Sequence, residues 1–269
     1  MKEQLHTIPV NEAFLSGDEC PFCYLQRQAE RSALRYVAGA GASYMEPEVR
    51  AATDETGFCP THMKQLYDYG NTLGAALMLQ THYAGLIENF RKEVKHYELP
   101  PKKTLLPRKK QSSGEPWWQR LENQSKRCYI CDKIHYNLDR YYATFYALLK
   151  EEEYRSRVTS SKGFCLRHFG ELLEKAEDYL PNSQREWFLQ NIFPMMEENL
   201  VRVKADLDWL IAKYDYRNPS ADWKNSRDAL QRSMQKLEGL YPADPPHKAD
   251  KKTPRFSLGS FLHSKISRY

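Results

Sequence analysis

Gly57-Phe58-Cys59-Pro60-Thr61-His62 and Gly163-Phe164-Cys165-Leu166-Arg167-His168 carry the pattern on which the rest of the chain is read. Each follows a Cys-x-x-Cys: Cys20-Pro21-Phe22-Cys23 before the first, Cys128-Tyr129-Ile130-Cys131 before the second. Together these motifs use all 6 cysteines of the 269 residues. Three thiols and one imidazole make a soft four-ligand set that suits a closed tetrahedral metal site. The sequence therefore predicts two such sites, one in each half: Cys20, Cys23, Cys59 and His62, then Cys128, Cys131, Cys165 and His168.

Ligands three residues apart at a helix start lie on one face of its first turn. Pro21 and Pro60 follow Cys20 and Cys59 directly, and proline is favoured at the first helical position. Both cysteines are thus expected as N-caps, where free amides and the helix dipole lower a thiol's pKa. Tyr129 and Leu166 take the place of proline in the second copy, which weakens the cap argument there. The gaps between ligand pairs, 35 and 33 residues, exceed the span of a compact zinc finger. Each metal is expected to staple two distant helix starts.

Zinc, two per chain, is the expected metal. An iron–sulfur cluster is the alternative, because three cysteines and a histidine can also hold one. Three thiolates and a neutral imidazole leave Zn²⁺ with a formal charge of −1, which Lys64, Lys126, Arg127 or Arg167 can offset. A thiol–disulfide role for Cys20-Pro-Phe-Cys23 ranks lower, since no βαβ pattern surrounds it.

The fold class expected is all-α: two diverged helical repeats, each pinned by its own Cys3His site, and a C-terminal helix. Only 12 glycines occur, and long stretches lack glycine and proline, which favours helix over turn-rich β structure. Apolar periodicity predicts a helix over 24–37, a short one within 45–56 starting near Pro47, and helices over 63–69 and 71–97. The last carries Leu73, Leu77, Ala84, Ile87 and Val94 on its apolar side. In the second half helices are expected over 129–153, 168–179 and 183–214, the last kinked at Pro194. Its apolar face is read as Trp187, Ile192, Met196, Leu200, Val203, Leu207 and Leu210 or Ile211. A final helix is expected from an N-cap at Ser220 to Leu237, with Trp223, Leu230, Met234 and Leu237 as its inward stripe. These elements divide the chain into a first repeat (1–98), a basic proline-rich linker (99–118), a second repeat (119–216), the C-terminal helix (217–242) and a disordered basic tail (243–269). Trp117 and Trp118 are expected to dock on the second repeat.

Net charge is +5, and the excess is local. Lys102, Lys103, Arg108, Lys109 and Lys110 sit in the linker; Lys248, Lys251, Lys252, Arg255, Lys265 and Arg268 sit in the tail. Nucleic-acid binding, if any, would run through 102–110 and 248–268, but a near-neutral body argues against a global binder. The N-terminus has no apolar h-region and no stretch has the length of a membrane span, so a cytoplasmic protein is expected, where thiols stay reduced.

Other residues carry weaker signals. His135, His82 and His96 are read as surface or packed histidines, and Glu151-Glu152-Glu153 as a solvated helix end. Tyr136, Tyr141, Tyr142, Phe145 and Tyr146 have helical spacing and are read as core and rim. No P-loop, dinucleotide fingerprint, Gly-x-Ser-x-Gly or His-Glu-x-x-His occurs.

Thr7-Ile8-Pro9-Val10-Asn11-Glu12-Ala13-Phe14, the two paired motifs, Ser43-Tyr44-Met45 and Leu73-Gly74-Ala75-Ala76-Leu77-Met78-Leu79 resemble an uncharacterised bacterial domain-of-unknown-function family. The resemblance covers roughly residues 5–215. Some members carry an automatic label as ABC transporter substrate-binding proteins. That label implies secretion and a two-lobed α/β fold, and this sequence has neither an h-region nor α/β alternation. The expected role is therefore non-enzymatic, through protein or other macromolecular contacts made by the basic linker and tail. The competing readings are an iron–sulfur or thiol-based redox or metal-sensing protein, and nucleic-acid binding.

Overall fold

The computed structural model describes residues 5–41, 43–95, 117–218 and 220–240, with Pro242, Asp244 and His247. The basic segments 102–110 and 248–268, His96 and most of the expected linker and tail lie outside the described residues. Every regular element described is helical: α1 (Ile8–Leu15), α2 (Pro21–Ala38), α3 (Pro47–Thr56), α4 (Pro60–Tyr69), α5 (Thr72–Lys95), α6 (Trp117–Ser125), α7 (Tyr129–Leu148), α8 (Glu152–Thr159), α9 (Leu166–Tyr179), α10 (Asn182–Lys213) and α11 (Ala229–Glu238). A 3₁₀ turn spans Ser43–Met45. No described helix is long and apolar enough to cross a membrane.

Two units are resolved, and they do not follow chain order. Unit 1 comprises the described residues within 1–30 and 133–245; unit 2 comprises those within 31–132 and 246–269. The boundaries fall inside α2 and α7.

Unit 1 has an aromatic core. Phe22 of α2 stacks on Tyr142 of α7 with ring centroids 4.3 Å apart. Phe145 meets Phe22 edge-on at 5.7 Å, Phe164 at 6.2 Å and Phe188 at 6.2 Å. Each such pair is worth about 0.5–1.5 kcal/mol beyond area burial. Tyr142, Phe145 and Tyr146 are thus core, as their spacing suggests, while Tyr136 and His135 face outward. The expected helix over 129–153 is broken. α7 stops at Leu148, and Glu151, with extended backbone, caps α8. The break carries Tyr154 and Val158 into the core. Glu152 and Glu153 fall in the first turn of α8, where carboxylates oppose the positive end of the helix dipole.

In unit 2, α3 packs along the first half of α5. Val49 and Thr53 of α3, Leu66 and Tyr69 of α4 and Met78 of α5 are buried with Leu34, Val37 and Ala38. Asn71 caps α5, accepting from the Gly74 amide at 3.0 Å, and its own amide donates to the Ala38 carbonyl at 2.9 Å. The apolar side read for α5 is not the buried one: Leu73, Ile87 and Val94 are exposed, whereas Gly74 and Met78 are buried. Gly74 has this place because a Cβ would stand 2.9 Å from the Tyr44 ring. Trp118 does not dock; it is exposed at the start of α6.

α10 runs unbroken through Pro194 for 32 residues. It buries Phe188, Ile192, Met195, Met196, Asn199 and Val203, while Leu200 and Ile211, placed on the apolar face by the sequence, are exposed. The last helix differs most from expectation. Residues 220–228 form turns, α11 starts at Ala229, and its inward face is polar: Arg232, Gln235 and Lys236 are buried. Leu230, Met234 and Leu237 point outward, about half exposed. Burial of the polar face is possible because partners await it. The Lys236 ammonium donates to the Glu19 carbonyl at 2.6 Å and to the Lys162 carbonyl, and lies 3.3 Å from Glu19 Oε2. Arg232 pairs with Asp228 and Asp206, each at 2.9 Å.

Candidate metal centres

Four helix starts carry the eight expected ligands. Cys20, Cys59, Cys128 and Cys165 each immediately precede a helix, and Cys23, His62, Cys131 and His168 lie three residues further along. The cap interaction differs from expectation. Cys165 Sγ accepts from the His168 amide at 3.4 Å, and Cys128 Sγ accepts from the Cys131 amide, whereas Cys59 makes no side-chain cap bond. Proline prepares the backbone for a helix start, but it does not aim the sulfur at the third amide.

The glycine and phenylalanine of the motif also have structural reasons. Gly57 and Gly163 adopt φ +63° and +77°, a left-handed region that side chains rarely enter. Met196 Sδ lies 2.9 Å from where a Cβ on Gly163 would sit, and the His82 ring 3.0 Å from one on Gly57. Phe58 and Phe164 are buried beside the ligands. His82 itself donates to the Asp54 carbonyl at 2.8 Å and joins no centre.

All eight candidate ligands meet in two groups of four, but the groups are not those expected by halves. Centre I, in unit 1, is Cys20, Cys23, Cys165 and His168; centre II, in unit 2, is Cys59, His62, Cys128 and Cys131. Each combines one Cys-x-x-Cys with the Cys-x-x-His of the other half. A short spacing shows which residues share a helix start, not which two starts meet. Closing Cys23 onto Cys165, 142 residues away, costs only about 1 kcal/mol more than closing it onto Cys59. The aromatic contacts of Phe22 outweigh that difference.

In both centres the ligand atoms lie within 4.8 Å of one another. In centre I, His168 Nδ1 is 3.4 Å from Cys20 Sγ, 3.5 Å from Cys23 Sγ and 3.2 Å from Cys165 Sγ, and Cys23 and Cys165 Sγ are 3.6 Å apart. In centre II, His62 Nδ1 is 3.2 Å from Cys59, 3.2 Å from Cys128 and 3.4 Å from Cys131, with Cys59 and Cys131 Sγ at 3.9 Å. A tetrahedral ion with bonds of about 2.3 Å to sulfur and 2.0 Å to nitrogen needs edges of about 3.8 and 3.5 Å. The eight side chains fit one metal ion per group.

In each centre one thiol is shifted toward the thiolate, Cys165 in centre I and Cys128 in centre II. Hydrogen bonds from Cys20 and Cys23, then from His168, hold Cys165 well below the usual thiol range. Burial opposes ionisation of Cys128, but the His62 hydrogen bond and the Cys131 and Cys59 amides overcome it and bring the thiol to about 6. Burial pushes Cys20 far up, and the Cys165 hydrogen bond takes Cys23 to about 12. Of the cations expected to offset an ion-bound centre, Arg167 stands at centre I, 2.9 Å from His168 Nε2. Lys64, Lys126 and Arg127 instead pair with Asp68, Glu122 and Glu55.

Sequence reading missed the cover of centre I. Gly239, φ +74°, lies over its sulfurs: a Cβ there would be 3.3 Å from Cys165 Sγ and 3.5 Å from Cys23 Sγ. The Leu240 amide donates to Cys23, and the Lys236 ammonium acts electrostatically on Cys20. Gly239 gave only a helix-stop signal, and nothing local points from it to cysteines so distant in sequence.

Residues 1–244 match the model of a family of unknown function, DUF6062. No curated protein and no solved structure matches the chain.

Proposed function

Because the chain belongs to the DUF6062 family, whose function is unknown, we propose its role from the centres themselves: two structural zinc ions in a cytoplasmic, non-enzymatic protein that acts through protein contacts. The carrying observation is that each centre supplies four protein ligands at single-ion spacing. Four protein ligands complete a tetrahedral shell and leave no position for water or substrate, the arrangement of structural rather than catalytic zinc. Sulfurs 3.6 and 3.9 Å apart favour one ion over an iron–sulfur cluster, which would spread its thiolates around several atoms. The matched make-up of the centres, one Cys-x-x-Cys and one Cys-x-x-His each, supports an internal duplication in which the two copies exchanged ligand pairs. The outward apolar stripe of Leu230, Met234 and Leu237 supports contact with a protein partner.

Elemental analysis of protein purified anaerobically tests the reading. Two zinc per chain are expected, with loss of helicity when a strong chelator removes both. Iron with visible charge-transfer absorption, or helicity unchanged after complete zinc removal, sinks it.

A further inference from the structure

Centres I and II hold the same donor set under different cover. In centre I, Cys20, Cys23, Cys165 and His168 are all 0% exposed, beneath Gly239 and Leu240. In centre II, Cys128 and His62 are buried, but Cys59 and Cys131 reach the surface. Their sulfurs lie 3.9 Å apart. A sulfur attacks an oxidant only where the oxidant can reach it, so exposure selects the reactive pair.

We propose that Cys59 and Cys131 are an oxidation site, which a hydroperoxide converts to a disulfide with release of the centre II metal while centre I persists. The proposal rests on the zinc reading above. One of these partly exposed thiolates attacks the terminal peroxide oxygen. The S–O bond forms, the O–O bond breaks, and the departing alkoxide takes a proton to leave as an alcohol. The second thiolate then attacks the sulfenic sulfur, and the S–S bond forms as hydroxide leaves and takes a proton as water. Two thiolates give up two electrons, one hydroperoxide accepts them, and two protons are consumed. Closing 3.9 Å to a bond of about 2.05 Å falls to two side chains at helix starts. His62 and Cys128 are then the remaining ligands, too few to retain the ion.

The test treats the full zinc-loaded chain with tert-butyl hydroperoxide in the presence of a chromogenic zinc chelator. Release of one of two zinc ions is expected, with a Cys59–Cys131 cross-linked peptide by mass spectrometry. Cys20, Cys23 and Cys165 should alkylate only after denaturation. Simultaneous release of both ions, release from centre I first, or no release at all overturns the proposal and leaves the zinc reading standing. A chain that carries no zinc before treatment overturns both, and the initial metal content tells the two failures apart.

Discussion

Cys20 and His168 stand 148 residues apart yet share one centre, and paired substitutions read that grouping directly. Cys20→Ser with His168→Ala strikes centre I twice, so one zinc per chain is expected to remain. Cys20→Ser with His62→Ala strikes both centres, and zinc content is expected to fall close to zero. Metal analysis of the two double variants with the opposite outcome would restore grouping by halves.

At the scale of elements, α11 is the informative case. Its stripe of Leu230, Met234 and Leu237 has regular amphipathic spacing, and by that pattern alone it belongs inside. The structure turns it outward because the opposite face carries Arg232 and Lys236 onto Glu19 and two backbone carbonyls. Met234→Lys and Leu237→Lys are accordingly expected to change stability by less than about 0.5 kcal/mol. Lys236→Met leaves the carbonyls of Glu19 and Lys162 without their donor and should cost about 2–3 kcal/mol. Thermal unfolding of the three variants decides it, and the reverse ranking would put the apolar stripe back inside. Periodicity found most helices because the apolar spacing and the prolines at Pro47 and Pro60 are local signals. It failed at α11 and α5 because burial of a face is decided by what lies opposite, which no local pattern contains. The α7–α8 break was illegible for a similar reason: no glycine or proline marks it, and Tyr154 draws the chain into the core.

For the whole molecule, the eight candidate positions were legible from spacing, because the pattern recurs and uses every cysteine. Which starts meet was not legible, because long loops close at little extra cost and packing far from the motifs settles the partners. Along the chain the four ligand pairs occur in the order outer, inner, inner, outer: centre II is nested within centre I. This order has a consequence during synthesis. At about 5–20 residues per second, Cys23 is synthesised roughly 7–30 s before Cys165. Cys59 and His62 emerge long before that, and with Cys20 and Cys23 they complete a four-ligand set of the same chemistry. The nascent chain can thus capture metal on the wrong foursome first. A chain that does so reaches the finished protein only by ligand exchange, in which Cys20 and Cys23 trade Cys59 and His62 for Cys165 and His168 once the last helix starts have been translated.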